Sequence, residues 1–256
     1  MASSKSDSPP LPLSGSAVTA VIAAAGSGER LGAGGPKAFV PVAGRPMIEW
    51  SIEAFRASAA VSAIVVAVPP GQGSALAGLD LRLVEGGATR AQSVANALTA
   101  VETELVAIHD AARPLLTPEL VETLVAVLAE SPDAAGVIAA APVADTIKRA
   151  IKESSGQLST NTVSNRPLVI EATEDRSQLW AAQTPQVFRA EALREALVAA
   201  ERPQEATDEA MLVEQAGGTV LIHPVEGQNL KVTTPLDLRV AELLLAERKP
   251  QSRSST

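Results

Sequence analysis

A glycine-rich, basic stretch near the start of the chain contains the residue types that bind phosphate groups. It includes Gly26, Gly28, Arg30 and Lys37, and it follows a short apolar run directly. Glycines let successive backbone N–H groups approach an anion, and the two cationic side chains add full positive charges. The irregular connection continues to Pro46, and a connection of this length inside a compact domain is usually functional. The stretch predicts a cradle for a triphosphate.

This stretch matches neither of the two commonest phosphate-binding motifs. A Walker loop needs Gly-Lys-Ser/Thr leading into a helix, whereas Ala38 and Phe39 follow Lys37. A dinucleotide-binding fingerprint needs a glycine where Leu31 stands. Taken alone, the stretch is also compatible with a plain glycine-rich turn that has two cations on its surface.

A carboxylate and a guanidinium follow a second apolar run, in the segment His109-Asp110-Ala111-Ala112-Arg113. A carboxylate at the carboxyl end of a strand, beside a phosphate cradle, is suited to Mg²⁺. Arg113 can bind a phosphate group through two parallel hydrogen bonds. The alternative for Asp110 is a salt bridge at the start of a helix. The two histidines, His109 and His223, lie in apolar runs, which favours a packing role over a catalytic one.

Further polar segments follow other predicted strands, and each has a simple structural explanation when taken singly. Thr89 and Thr207 are suitable helix N-caps, Lys231 can be an edge-strand charge, and Arg176 can pair with Asp175 in solvent. Their shared position near strand ends makes them candidates for a site. The segments are 86–93, 145–148, 175–176, 183–186, 207–210 and 229–233.

The elements that position these residues alternate along the chain. Short runs rich in Val, Ile and Ala alternate with helical periodicity, which predicts an α/β fold with a mostly parallel sheet flanked by helices. In such sheets, ligands bind beyond the carboxyl ends of the strands. The predicted strands are 18–23, 63–68, 81–84, 105–109, 136–141, 181–188, 219–223 and 230–233. The predicted helices begin at Pro46, around Val94, after Pro118, Arg189 and Thr207, and at Pro235, the last one ending near Ala246.

One segment and both termini depart from this alternation. Residues 151–175 have polar alternation around a turn at 164–167, which predicts a projecting two-stranded β-arm. An isolated hairpin is marginal in water, so we expect the arm to pack on something, most naturally a second subunit. The Ser/Pro-rich leader 1–16 and the tail 248–256 are expected to be disordered.

Composition excludes several functional classes. The chain has no cysteine, which excludes disulfides, thiol catalysis and cysteine-ligated metals and favours a cytoplasmic setting. A formal charge of −8 and an aromatic content of 2% argue against nucleic acid as a partner. No apolar run approaches the roughly 20 residues that span a bilayer, so no membrane association is expected.

The motifs, in the order in which they occur, resemble the methylerythritol-phosphate cytidylyltransferases. The resemblance covers about residues 18–245 and rests on Ala24-Ala25-Gly26, Pro36-Lys37, the Gly86 to Ser93 segment, His109 to Pro114 and several short motifs. These short motifs are Asp145-Thr146, Asp175-Arg176, Thr184-Pro185-Gln186, Thr207-Asp208-Glu209-Ala210 and Asn229-Leu230-Lys231-Val232-Thr233. Two departures are Ala23, where many members have Pro, and Ala38, where many have Gln. The related ribitol 5-phosphate transferases usually have Gly where Ala25 stands, so Ala25 favours the methylerythritol-phosphate enzymes. Two alternatives stay open: ribitol 5-phosphate as the acceptor, and a non-catalytic nucleotide-binding module.

The resemblance implies one Rossmann-like nucleotidyltransferase domain over 17–247 and a homodimer with exchanged arms. It also implies that the substrates are CTP and a polyol phosphate, with Mg²⁺ as cofactor. The implied nucleotide-binding residues are Ala24, Ala25, Gly26, Gly28, Arg90, Ser93 and Asp110, of which Asp110 also binds the metal. The implied acceptor contacts are Arg113, Thr146, Thr184 and Thr207. The implied catalytic cations are Arg30 and Lys37 at the triphosphate, and Lys231 together with Arg176 of the partner subunit at the attacking phosphate.

Overall fold

The strands and helices of the computed structural model alternate much as the sequence predicts. The structure describes residues 17–26, 35–151, 167–200, 206–226 and 229–248. The strands are β1 (Val18–Ala23), β2 (Pro41–Val42), β3 (Arg45–Pro46), β4 (Val61–Val68), β5 (Arg82–Glu85), β6 (Leu105–Asp110), β7 (Gly136–Pro142), β8 (Lys148–Ile151), β9 (Val169–Thr173), β10 (Trp180–Arg189) and β11 (Val220–Pro224). The α-helices are α1 (Met47–Ala57), α2 (Arg90–Leu98), α3 (Pro118–Ala129), α4 (Ala190–Ala199), α5 (Glu209–Gln215) and α6 (Pro235–Glu247).

The central sheet has seven strands in the order β11-β7-β10-β6-β1-β4-β5. Every neighbouring pair is parallel except the two pairs that include β10, which is antiparallel to both β6 and β7. The expectation of a mostly parallel, Rossmann-like sheet flanked by helices is therefore confirmed. The reversed strand β10 has an irregularity between Ala182 and Gln186, which includes a cis Thr184–Pro185 peptide bond.

Helices cover both faces of this sheet. On one face, Ile48 and Phe55 of α1 and Leu124 of α3 pack against Ile22 and Val66 of the strands. On the other face, side chains of α2, α4 and α5 pack against the opposite sides of the same strands. Because β1 and β6 lie in the middle of the sheet, both of their faces are buried, which explains why their residues are mostly apolar, with Thr19, His109 and Asp110 as the polar exceptions.

The predicted strand over 230–233 is wrong. This segment is irregular, and a backbone hydrogen bond of 2.8 Å from Val232 to the carbonyl of Ala112 attaches it to the loop after β6. Val232 is fully buried in a small cluster with Val42 and Met47, so the apolar residue is explained by packing rather than by a strand. Lys231 is therefore not an edge-strand charge.

Strands β8 and β9 form a separate antiparallel sheet, which corresponds to the predicted two-stranded arm. The first strand begins at Lys148, earlier than the predicted start at 151, while the predicted turn falls largely within 152–166, outside the described residues. Apolar side chains on the arm are exposed, among them Leu168, Val169 and Ile170 at about 60%. At the other end of the chain, Arg248, expected in the tail, instead caps α6 and donates hydrogen bonds to the carbonyls of Leu115 and Leu116.

Candidate active site

The carboxyl ends of β1 and β6 lie side by side and bring the two predicted phosphate-binding segments together. Ala23 is opposite Asp110 in the sheet register, and the N–H of Ala111 donates to the carbonyl of Ala23 at 3.2 Å. The N–H of Lys37 donates to the carbonyl of Gly26 at 3.3 Å, so Lys37 lies beside the same loop. Gly28 and Arg30, predicted in that loop, lie outside the described residues.

Gly86 lets the segment before α2 approach this loop closely. A Cβ atom on Gly86 would lie 2.3 Å from the Cβ of Ala25 and 3.0 Å from the hydroxyl of Ser93, so a larger residue does not fit without movement. The Ser93 hydroxyl accepts the N–H of Gly87 at 3.0 Å and donates to the carbonyl of Thr89 at 2.9 Å. These contacts place the start of α2 against the loop after β1.

Asp110 is the centre of an ion-pair network. Its two carboxylate oxygens accept hydrogen bonds from Arg90 Nε at 2.8 Å and from Lys231 Nζ at 2.7 Å. Arg90 also donates through one terminal nitrogen to both oxygens of Glu209, at 2.6 and 2.8 Å. The network joins the starts of α2 and α5 to the end of β6 and to the segment before α6.

Burial and charge act in opposite directions on this network. Burial alone would raise the pKa of Asp110, but Arg90 and Lys231 outweigh it and hold that pKa well below its usual range. Burial raises the pKa of Glu209, while Arg90 counteracts this. Burial alone would lower the pKa of Arg90, yet the two carboxylates raise it above its usual value. Asp110 and Arg90 are therefore charged throughout the neutral range.

A buried polar network supports Asp110 from behind. The Thr184 hydroxyl accepts the N–H of Asp110 at 3.0 Å and lies 3.1 Å from His109 Nδ1. His109 Nε2 lies 3.1 Å from the carbonyl of Arg113, and Arg113 donates to the carbonyl of Asn229 at 2.7 Å. Because a carbonyl only accepts, the proton of neutral His109 is on Nε2, and Nδ1 accepts the hydroxyl proton of Thr184. His109 thus has the packing role that the sequence favoured.

Stability between pH 6.5 and pH 4 should depend on His109. The side chain is fully buried, and burial lowers its pKa from 6.5 to about 4. In this window the unfolded chain binds a proton that the folded chain does not, so the free energy of unfolding falls as the pH is lowered. The contribution of His109 to this fall is about 3 kcal/mol.

Urea unfolding at several pH values checks this expectation in the His109→Gln variant. The variant should be less stable than the wild type at pH 7 but should lose less stability on acidification. His223→Gln, on edge strand β11, controls for loss of a histidine elsewhere. Parallel pH dependences for the wild type and His109→Gln would contradict the assignment.

The other predicted acceptor contacts lie in three different settings. Thr184 and Arg113 belong to the buried network, and Arg113 is only 8% exposed. Thr207 is exposed just before α5, and the N-cap of that helix is Asp208 rather than Thr207, because the Asp208 carboxylate accepts the N–H of Met211 at 3.0 Å. Thr89, in contrast, caps α2 as expected, accepting from Gln92 at 3.1 Å.

Thr146 and Arg176 lie at the base of the arm and are exposed. Arg176 donates a hydrogen bond to the carbonyl of Ala144, whereas the Asp175 carboxylate accepts from the N–H of Ser177 at 3.1 Å. The alternative interpretation of Arg176 as the ion-pair partner of Asp175 is therefore wrong. Both residues lie on the segments that lead into and out of the arm, not within the Asp110 network.

Two members of the site are missed by the sequence prediction. Glu209 lies in the Thr207–Ala210 segment, but a glutamate in the first turn of a helix usually interacts with the helix dipole in solvent. Asn229, 6% exposed, donates to the carbonyl of Thr184 at 2.6 Å and links the Lys231 segment to β10. Its signal in the sequence is its place in the Asn229–Thr233 motif, two residues before Lys231.

The described residues offer a limited set of ligands for a divalent cation. Within them, no group of three or more His, Asp or Glu side chains is arranged to hold a metal ion. Asp110 supplies one ionised carboxylate at the edge where phosphates are expected. Mg²⁺ commonly uses one or two carboxylates together with substrate phosphates. Asp110 therefore fits an ion that binds together with a triphosphate.

None of the helices in the described ranges is long and apolar enough to cross a membrane.

The fold and the site together define an α/β nucleotidyltransferase. A family model described as IspD: 2-C-methyl-D-erythritol 4-phosphate cytidylyltransferase matches residues 18–247. The chain belongs to this family, which confirms the resemblance found in its motifs.

Individual relatives agree with this placement. A 2-C-methyl-D-erythritol 4-phosphate cytidylyltransferase of Ralstonia nicotianae is 42% identical over 253 residues, which cover 92% of this chain and 94% of that protein. The enzyme of the same name from Deinococcus radiodurans is 43% identical over 226 residues, covering 88% of each. The crystal structure of the enzyme of that name from Thermus thermophilus is 33% identical with a TM-score of 0.70, and the match covers 88% of this chain and 98% of that one.

Proposed function

We propose that this enzyme transfers CMP from CTP to 2-C-methyl-D-erythritol 4-phosphate, releasing pyrophosphate, in the biosynthesis of isoprenoid precursors. The observation that carries the proposal is the Asp110 network. It places Arg90 and Lys231 on one carboxylate, at the sheet edge where nucleotides bind, in a chain of this family.

The chemistry requires positioned charges rather than a side-chain base. A phosphate monoester has a second pKa near 6 and is largely dianionic at neutral pH, so the acceptor needs no deprotonation. Its oxygen attacks the α-phosphorus of CTP, a P–O bond to the acceptor forms, and the bond to pyrophosphate breaks. The enzyme has to bring two anions together and stabilise a transition state rich in negative charge.

The roles of individual residues follow from this requirement. Lys37 and Arg30 bind the triphosphate, together with the backbone of Ala24, Ala25, Gly26 and Gly28. Arg90 and Ser93 contact the nucleotide. Lys231 holds the attacking phosphate, and Arg113, Thr146, Thr184 and Thr207 serve the acceptor. The 2.7 Å contact between Lys231 and Asp110 supports this scheme, because it fixes a half-exposed cation at the edge of the network.

Asp110 is the residue that would hold Mg²⁺, the divalent cation of this proposal. When bound, the ion supplies positive charge to the triphosphate. Asp110 is suited to this because its low pKa keeps it ionised at every pH at which the acceptor phosphate is reactive. Lys231, with 42% of its side chain exposed, contacts the same carboxylate, whose oxygens can each accept a further partner.

A homodimer with exchanged arms is the proposed assembly. The arm exposes Leu168, Val169 and Ile170, apolar side chains that water does not favour. A second copy of the chain would bury them and bring Arg176 of the partner subunit to the acceptor phosphate.

The absence of cysteine is compatible with the cytoplasm as the site of this enzyme.

Pyrophosphate release from purified enzyme tests the proposed reaction. The assay combines each of the four nucleoside triphosphates with 2-C-methyl-D-erythritol 4-phosphate or ribitol 5-phosphate. We expect turnover with CTP and the first acceptor and much weaker turnover with the second. Preference for ribitol 5-phosphate would assign the chain to the sibling reaction. Binding of CTP with no turnover would identify a nucleotide-binding module.

A further inference from the structure

Glu209 is a buried acidic residue that the mechanism above does not use. It is 1% exposed, at the first position of α5, and both of its oxygens accept hydrogen bonds from Arg90. At this depth the carboxylate is shielded from substrates. Its influence on the reaction must therefore pass through Arg90.

The geometry of Arg90 shows what Glu209 does. Arg90 uses Nε for one oxygen of Asp110 and a terminal nitrogen for Glu209. A guanidinium facing a single carboxylate prefers to donate two parallel hydrogen bonds to it. Here the guanidinium faces two carboxylates, with Nε on Asp110 and a terminal nitrogen on Glu209, while Lys231 donates to the second oxygen of Asp110 at 2.7 Å. The bond to the buried carboxylate of Glu209 fixes the orientation in which Nε points at Asp110.

We propose that Glu209 is a positioning residue for cytidylyl transfer, because it holds Arg90 in the orientation in which Nε donates to Asp110 beside Lys231. This inference rests on the proposed function, in which Arg90 and Lys231 act on the nucleotide and on the acceptor phosphate. The effect is also electrostatic. Glu209 offsets the charge of Arg90, so the two cations of the network face two carboxylates.

The test compares Glu209→Gln, which keeps the shape and removes the charge, with Glu209→Asp, which keeps the charge and shortens the reach. Glu214→Gln is the matched control, since it removes the same charge from an exposed position on the same helix. Partners that orient functional groups are typically worth about 10–100-fold in activity. We expect kcat to fall by this factor in Glu209→Gln, to fall less in Glu209→Asp and to be unchanged in Glu214→Gln. The KM for CTP should change far less than kcat.

A double variant separates positioning from general support of the fold. If Glu209 acts through Arg90, adding Glu209→Gln to Arg90→Met should cause little further loss of kcat/KM. Independent losses that multiply would overturn the proposal, as would a kcat within about twofold of wild type in Glu209→Gln. If Glu209→Gln does not fold, the kcat of folded Glu209→Asp decides, and an unchanged value overturns the proposal. An inactive wild type would instead count against the proposed function.

Discussion

Replacement of Lys37 by alanine is expected to lower kcat for CMP transfer by about 10²–10³, the usual effect of removing one donor that stabilises transition-state charge. Lys37 begins a short turn over Lys37–Phe39, and the buried side chain of Ala38 anchors this turn to the core. The backbone bond to Gly26 holds it beside the loop after β1. The backbone of Lys37 therefore has a fixed position beside the loop proposed to bind the triphosphate, and a water molecule would be a poor replacement for the ammonium group.

Steady-state pyrophosphate release at saturating CTP measures this loss. Arg239→Ala removes an exposed cation from α6 and should retain wild-type turnover. Lys37→Arg should recover part of the activity, since the charge is kept while the geometry differs. Near-normal turnover in Lys37→Ala would contradict the triphosphate role.

Mixing two inactive variants should restore activity if the arms are exchanged. Arg176→Ala and Lys231→Ala are each expected to lose about 10²-fold in kcat, because both cations hold the attacking phosphate in the proposed mechanism. In a mixed dimer, one of the two sites would combine an intact Lys231 with an intact Arg176 of the partner subunit. Random mixing of equal amounts should therefore give about one quarter of wild-type activity.

The experiment requires subunits that exchange, so the two variants are co-expressed with different affinity tags and the doubly tagged species is assayed. That species should have about half of the wild-type activity. A mixed dimer of wild type and the double variant Arg176→Ala/Lys231→Ala is the converse test. If the arms are exchanged, this dimer should have no intact site, because each site lacks either Lys231 or Arg176 of the partner subunit. Activity in that pair with none in the complementing pair would place both residues in the same subunit's site.

The sequence predicts elements well where the signal is local. Strands β1 and β6 are mostly apolar, and Thr89 stands where α2 needs a cap, so neighbouring residues determine each outcome. The segment 230–233 shows the limit. Its alternation of apolar and polar residues fits a strand, yet Val232 is buried by a tertiary cluster and one backbone bond to Ala112.

The site was predictable only in part, for a related reason. Asp110 and Lys231 have charges and positions that indicate phosphate chemistry, and the structure brings them into contact. The pairing of Arg90 with Glu209 joins residues that are 119 positions apart, and no local pattern encodes such a distance. His109 looked like a packed residue and is one, but its link to Thr184 depends on the position of β10 in the sheet.

The reversed direction of β10 has a consequence for how assembly and chemistry are connected. Each of the other strands in the sheet leaves it at the edge where Asp110 lies, whereas β10 enters there, coming directly from the base of the arm. Thr184 therefore lies on the first strand that follows the arm, the segment proposed to contact a neighbouring subunit. The same strand pairs with β7 through Trp180, Ala181 and Ala182 and then supplies the Thr184 hydroxyl that accepts the N–H of Asp110. The proposed subunit contact and the support of Asp110 thus share one stretch of polypeptide.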